Sequence, residues 1–102
     1  MTATEKYFEE NGYVVLQNVL PKQTCDELVQ HMFKLYEDGK LVRDAQCPLS
    51  DAVYGNPLFD TLLQNVAAPL GEALGKKLLP TYSYARIYRT GDTLKKHLDR
   101  PA

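Results

Sequence analysis

The sequence predicts an α+β fold in which helices come first and β-structure follows. Two observations carry this prediction: apolar residues recur at helical spacing in the first three quarters of the chain, and alternating side chains dominate the last quarter. The chain has 102 residues, the size of one domain. We therefore treat residues 1–102 as the N-terminal part of a single domain, helical over residues 1–80, with its β-structure starting over residues 81–102.

Three helices are predicted, and each has a recognisable start or stop. They span residues 4–11, 24–38 and 58–74. Gly12 and Gly39 follow the first two, because glycine readily takes the left-handed conformation that ends a helix. Pro21 suits the first turn of the second helix. Pro69 is expected to kink or divide the third helix, because proline removes one helical hydrogen bond.

Strands are predicted where β-branched and aromatic residues cluster between turn signals. These segments are residues 13–17, 81–89 and 94–99. The stretch 41–57 contains Pro48, Gly55 and Pro57 without a clear period, and it is interpreted as a long connection with a short strand near residues 41–43.

Charge and composition argue against two classes of partner. The net charge is −1 and the lysines and arginines are scattered, so no basic patch suggests nucleic acid binding. No apolar run is long enough to cross a bilayer, and the first residues lack a secretory pattern. Cys25 and Cys47 show no metal-binding or disulfide spacing, which favours a soluble protein in the reducing cytoplasm.

The strand over residues 81–89 has two different faces. Side chains alternate along a strand, so Tyr82, Tyr84, Arg86 and Tyr88 lie on one face, opposite Ser83, Ala85 and Ile87. A buried guanidinium needs a partner. Arg86 is therefore expected to pair with an acidic side chain or to help bind an anionic ligand.

His97 and Asp99 form the candidate metal motif. One residue separates them, so on a strand both side chains point to the same face. An imidazole and a carboxylate together are two members of the facial triad that holds non-haem iron(II) and leaves positions open. Alone the pair is a weak signal, because His-x-Asp often occurs by chance.

The residues around this motif resemble the metal-binding segment of prolyl-4-hydroxylase-like, 2-oxoglutarate- and iron(II)-dependent oxygenases. In those proteins a strand ending in tyrosine leads through a glycine turn to His-x-Asp, as Tyr88, Gly91, His97 and Asp99 do here. The opening of the chain, with Phe8 and the segment 11–16 before a helix that begins near a proline, resembles the start of the same superfamily.

This resemblance implies a function and a set of roles. His97 and Asp99 would be the first two iron(II) ligands, and Tyr88 would contact the bound 2-oxoglutarate. Arg86, on the same face, is the second candidate for binding the anionic cosubstrate. The reaction would consume O2 and 2-oxoglutarate, hydroxylate a C–H bond, and yield succinate and CO2; the resemblance also allows ascorbate as an added cosubstrate. The substrate would be a small molecule or a protein side chain, and the fold a double-stranded β-helix (jelly-roll) barrel.

The resemblance also implies residues for which this sequence has no candidate. The family uses a second histidine and a basic residue downstream of His-x-Asp, whereas the other histidine here, His31, belongs to the second helix. We therefore expect the first strands of an incomplete barrel, no activity from this chain alone, and self-association through exposed strand edges.

Two alternatives stay open. The first is a non-catalytic binding or interaction module that retains the N-terminal half of the fold. The second, a metal site of the cupin type, ranks lower because such sites group several histidines and the segment 94–97 offers one.

Overall fold

The computed structural model describes residues 1–44 and 47–98. Three helices and two strands follow one another along these described residues. They are α1 (Ala3–Asn11), α2 (Lys22–Glu37), β1 (Asp51–Tyr54), α3 (Pro57–Leu74) and β2 (Tyr84–Ile87). The protein thus combines helices with a small antiparallel sheet. The expected order is wrong in one respect, because β1 lies between α2 and α3 rather than after all the helices.

The three predicted helices are confirmed, and their ends follow the expected chemistry. The Thr2 hydroxyl accepts a hydrogen bond from the Glu5 N–H at 3.1 Å and so caps α1, which ends at Gly12 with a φ of 77°. The Asn56 side chain caps α3 by accepting from the Leu58 N–H at 3.0 Å. Pro69 does not divide α3, which continues from Pro57 to Leu74.

The sheet joins distant parts of the chain. β1 and β2 pair antiparallel, with Asp51 opposite Ile87, Ala52 opposite Arg86 and Tyr54 opposite Tyr84. Val42 adds a single bridge on the other side of Ala52. The short strand expected near residues 41–43 is therefore this one bridge, and β1 itself lies inside the stretch interpreted as a connection.

Two predicted strands are wrong. Residues 13–16 form no strand, since Tyr13 instead receives a hydrogen bond from the Tyr7 hydroxyl at 3.1 Å and packs edge-on against that ring. The residues from 93 to 98 also form no strand. In both segments the β-forming side chains lack a neighbouring strand among the described residues, and strand formation requires one.

The helices cover one face of the sheet. Ser83 donates to the Asp60 carboxylate of α3 at 2.5 Å, and Ala85 and Ile87 face α2 and Phe59. The space between α2 and β2 is an apolar groove of about 320 Å³, which we call the α2–β2 groove. Its lining consists of Leu28, Val29, Met32, Phe33, Phe59, Ala85, Arg86 and Ile87.

Within the described residues the fully buried core is small. It contains Leu35, Cys47 and Ala52, together with the polar Ser50. A domain with so little buried apolar surface has modest stability, so the loss of a single buried contact is a large fraction of the total.

Helices α1 and α3 meet near Gly75. Lys76 forms an ion pair with Glu9 at 2.7 Å, and a side chain at Gly75 would meet Glu5 at 2.8 Å. At Gly71 an added Cβ would lie 2.5 Å from the Lys76 carbonyl oxygen. Only a residue without a side chain therefore fits the end of α3 at this position.

We expect Gly71→Ala to lower the free energy of unfolding by about 1–2 kcal/mol. Alanine favours a helix by about 1 kcal/mol over glycine, but the clash with a backbone oxygen costs more than this gain. Urea denaturation followed by circular dichroism measures the change. Asn65→Ala, at an exposed position of α3, is the control and should change stability by less than about 0.5 kcal/mol. Unchanged or increased stability of Gly71→Ala would contradict the close approach.

None of the helices in the described part of the chain has both the length and the apolar character needed to cross a membrane.

Candidate functional site

The sheet face opposite the helices carries a group of tyrosines around Arg86, which we call the tyrosine face. Tyr54 and Tyr84 lie opposite each other in the sheet, with ring centroids 6.3 Å apart, and Tyr82 stacks on Tyr54 at 5.4 Å. The Tyr88 ring centroid is 5.9 Å from the Arg86 guanidinium carbon. The face predicted from side-chain alternation therefore exists, with Arg86 near its centre.

Arg86 forms a two-pronged ion pair with Asp44. Its two terminal nitrogens lie 3.2 and 2.9 Å from the two carboxylate oxygens. The Arg86 side chain is only 8% exposed, whereas that of Asp44 is 30% exposed. The Tyr84 hydroxyl donates to the same carboxylate, and the Arg86 guanidinium also lies 5.0 Å from the Tyr84 ring centroid. The acidic partner that a buried Arg86 requires is thus Asp44.

The segment that carries Asp44 holds this pair in place. Arg86 also donates to the hydroxyl of the fully buried Ser50 at 3.0 Å, and Ser50 donates in turn to the Cys47 carbonyl at 3.2 Å. The Cys47 N–H donates to the Asp44 carboxylate at 3.1 Å. Each polar group in this cluster therefore fixes the next one, from the buried Ser50 out to the half-exposed Asp44.

The cluster changes the acidity of its members. Hydrogen bonds from Arg86, and then from Tyr84, hold the pKa of the Asp44 carboxyl well below its usual range. Burial raises the pKa of the Tyr84 hydroxyl, and its hydrogen bond to the Asp44 carboxylate raises it further. At neutral pH the cluster thus contains an ionised Asp44, a neutral Tyr84 and a cationic Arg86.

We expect part of the protein's stability to disappear in acid because of Asp44. An unfolded aspartate titrates near a pKa of about 3.9, and the folded value is lower, so the pair stabilises the fold at neutral pH and loses this contribution as pH falls through 4 and below. Urea unfolding from pH 7 to about pH 2.5 measures the dependence. Asp44→Asn should be less stable at pH 7 but lose less on acidification. Parallel losses in the two proteins would contradict this assignment.

A second charged cluster lies around Asp51, whose side chain is 14% exposed. The Arg89 guanidinium contacts its carboxylate at 2.6 Å and Arg43 contacts it at 3.7 Å. Arg89 also lies 5.2 Å from the Tyr36 ring centroid at the end of α2. Neighbouring residues Arg43 and Asp44 thus point to opposite faces of the sheet and bind it to the rest of the fold.

The metal motif lies beyond the turn that follows β2. The Asp92 N–H donates to the Arg89 carbonyl at 2.9 Å, and residues 93–98 then follow as an exposed segment that is neither helix nor strand. The His97 Nδ1 lies 2.8 Å from the Lys95 carbonyl oxygen. Asp99 lies outside the described residues. The strand that was expected to bring His97 and Asp99 to one face is not formed up to residue 98.

The described residues do not form a complete metal site. Within residues 1–44 and 47–98, no three His, Cys, Asp or Glu side chains come close enough together to hold a metal ion. His31 is half-buried in α2, where its Nε2 is 3.0 Å from the Asn56 side-chain oxygen and its ring packs against Phe59. Its expected place in the second helix is confirmed, but it supports the start of α3 rather than facing solvent.

Sequence reasoning found Arg86 but missed the side chains that hold it. Asp44 and Ser50 lie 42 and 36 positions away, in a segment without a regular pattern. The one signal available was the requirement that a buried guanidinium have an acidic partner, and it did not specify which one.

In comparison with known proteins, the chain matches no family model, no curated protein and no solved structure.

Proposed function

We propose that the chain is the part of an iron(II)- and 2-oxoglutarate-dependent oxygenase that contributes His97 and Asp99 to the metal. The enzyme would hydroxylate a C–H bond of a small molecule or protein side chain. Two free cysteines, Cys25 and Cys47, favour an intracellular location for it. The proposal rests on the sequence resemblance together with the tautomer of His97 and the open tyrosine face.

The observation that carries the proposal is the hydrogen bond between His97 and Lys95. A carbonyl oxygen only accepts, so the Nδ1 that lies 2.8 Å from it carries the proton. In a neutral imidazole the lone pair is then on Nε2, the atom that commonly binds a metal. A backbone carbonyl on the other ring nitrogen is the usual way of orienting a histidine ligand.

The tyrosine face supports a ligand-binding role more strongly for Tyr88 than for Arg86. Tyr88 is about half exposed beside Arg86, so its ring is accessible to a ligand. Arg86 already engages both oxygens of Asp44, which occupies the geometry that a carboxylate of 2-oxoglutarate would use. Tyr88 is therefore the better-supported contact for 2-oxoglutarate, and Arg86 serves mainly to hold that face together.

The residues present fit an iron site only in part. His97 supplies one ligand among the described residues, the resemblance assigns Asp99 as the second, and the sequence has no candidate for the third. Bound iron would supply the activation of O2, with one oxygen atom going to the C–H bond and the other into succinate as 2-oxoglutarate loses CO2. Two protein ligands hold such a metal weakly, so the chain alone binds it without turnover.

Metal binding at His97 is tested by nuclear magnetic resonance with Mn²⁺, a paramagnetic ion that accepts the same ligands as iron(II). We expect the imidazole signals of His97 to broaden at lower Mn²⁺ concentrations than those of His31. In His31→Ala the broadening near residue 97 should persist, and in His97→Ala it should disappear from Lys95 and Tyr88. Broadening that is centred elsewhere and is indifferent to His97→Ala would overturn the proposed site.

Turnover by the chain alone provides a separate prediction. With iron(II), 2-oxoglutarate and ascorbate, we expect no more succinate from the purified 102-residue chain than from His97→Ala. Succinate formed by the chain and absent from the variant would show that the two ligands suffice, against the expectation of an incomplete site.

A non-catalytic interaction module is the second candidate function. The α2–β2 groove favours it, because an apolar groove beside the edge strand of a sheet is a typical place for another chain to bind. Metal binding that does not involve His97, together with binding of another chain to this groove, would favour the module.

A further inference from the structure

The outer edge of β2 presents unpaired backbone groups. The N–H and C=O of Ala52 both bond to Val42, at 2.7 and 2.8 Å, so they point away from β2. In an antiparallel pair the opposite residue, Arg86, must then direct its own N–H and C=O away from β1. No described residue forms a backbone hydrogen bond with them there. An unpaired edge of this kind is a template for another strand.

The sequence of this strand is nearly the same in both directions. From Tyr84 to Tyr88 it reads aromatic, aliphatic, arginine, aliphatic, aromatic. Two antiparallel copies aligned at Arg86 would place Tyr84 opposite the second copy's Tyr88, and Ala85 opposite the second copy's Ile87. Aromatic and aliphatic cross-strand pairs of this kind stabilise a sheet. A strand that complements itself suits a two-fold interface, in which the same surface is used twice.

The central arginine does not oppose this arrangement. Two facing guanidinium groups would normally repel each other, but each Arg86 is neutralised within its own copy by both oxygens of Asp44. The rings of Tyr84 and Tyr88 also lie within 6 Å of the guanidinium carbon. The charge of each Arg86 is thus already neutralised within its own copy, before two copies associate.

The α2–β2 groove supplies apolar surface along the same edge. Residues of β2 line the groove whereas β1 contributes none, which places the groove beside the outer edge. On its α2 side Val29 and Phe33 are each 50% exposed. In the paired arrangement α2 of both copies lies on the same face of the extended sheet, so these side chains are covered. Burial of such apolar surface is the main driving force of association.

We propose that the chain forms a two-fold symmetric dimer through the outer edge of β2, with Arg86 at the symmetry axis and Val29 and Phe33 buried across it. The near-symmetric strand favours a second copy of the chain as the binding partner, because an unrelated peptide is not expected to carry the same order of aromatic, aliphatic and arginine side chains. The observations that support this dimer all concern described residues, and the dimer does not depend on the oxygenase proposal.

Sedimentation velocity over a range of concentrations tests the association. We expect a concentration-dependent dimer for the wild-type chain and at least about a tenfold weaker one for Val29→Lys, which buries a charge in the interface. Val19→Lys, at an exposed valine outside the groove, is the matched control and should associate as the wild type does. A wild-type chain that is monomeric at every concentration, or that binds peptides as a monomer, overturns the proposal, as does a dimer unaffected by Val29→Lys.

Cysteine pairing tests the register without relying on a charged variant. In a Cys25→Ser background, Ala85→Cys and Ile87→Cys are prepared separately and then mixed under oxidising conditions; Cys47 stays, because it is only 1% exposed. Residues 85 and 87 of different copies are directly opposite, whereas two copies of residue 85 are diagonal, beyond the reach of about 7 Å for a disulfide. We expect a covalent dimer only in the mixture. No link in the mixture, or equal linking within each variant alone, overturns the proposed dimer.

Discussion

Replacement of Arg86 by methionine is expected to lower the free energy of unfolding by about 3 kcal/mol. Methionine keeps most of the apolar length but removes the partner of Asp44 and of the fully buried Ser50 hydroxyl. Leaving one half of a buried ion pair without its partner costs about 3–5 kcal/mol, and partial exposure of Asp44 brings the effect toward the lower end. For a domain with so small a core, this is a substantial share of its stability.

The measurement is urea unfolding at pH 7, with Arg43→Met as the control. Arg43 contacts Asp51 at 3.7 Å and is 59% exposed, so its loss should cost less than about 1 kcal/mol. The double variant Arg86→Met with Asp44→Asn should be less destabilised than the sum of the single changes, because the carboxylate charge that Arg86 neutralises is removed as well. If Arg86→Met were no more destabilising than Arg43→Met, the cluster would not hold the sheet to Asp44 and Ser50.

The helices were predictable because their signals are local. Apolar residues at steps of three and four define α2 and α3, and the left-handed glycines Gly12 and Gly75 end helices where they stand. These features act within a few residues and do not depend on what the rest of the chain does. The Thr2 and Asn56 caps belong to the same local chemistry.

The sheet was less predictable because its pairing is not local. β1 begins at Asp51, close to Pro48, and contains no periodic signal, yet it pairs with a strand more than thirty residues away. Residues 13–16 have stronger β-forming side chains, but they have no neighbouring strand to pair with among the described residues. Strand propensity depends on neighbouring strands, so sequence pattern alone favours the wrong segment here.

The candidate site shows the same difference between local features, which were predictable, and distant contacts, which were not. Alternation along one strand correctly grouped Tyr84, Arg86 and Tyr88 on one face, because it needs no distant information. The partner Asp44 could not be identified, since the distance between residues 44 and 86 is set by the whole fold. The pairing of His97 with Asp99 stays a prediction, because it assumed a strand over residues 94–99.

Enlargement of Ala52 is expected to have the second largest effect, about 2 kcal/mol of lost stability for Ala52→Leu. Ala52 is completely buried at the centre of β1, between Val42 on one side and Arg86 on the other. Residues directly opposite in a sheet share a face, so its Cβ points the same way as the Arg86 side chain. Three added carbons there must displace either the Val42 bridge or the pair with Asp44, and overpacking of this kind costs about 1–3 kcal/mol.

Two observables separate this prediction from general destabilisation. Ala52→Leu should lower the urea midpoint, whereas Ala68→Leu, an equal enlargement at an exposed position of α3, should change stability by less than about 0.5 kcal/mol. Hydrogen exchange of the Val42 and Ala52 amides, which bond to each other's carbonyls, should accelerate more than exchange within α3. Unchanged exchange at these two amides, with stability retained, would mean that space exists beside Ala52. The packing of Val42, Ala52 and Arg86 across the sheet would then not be what joins residues 42–44 to β2.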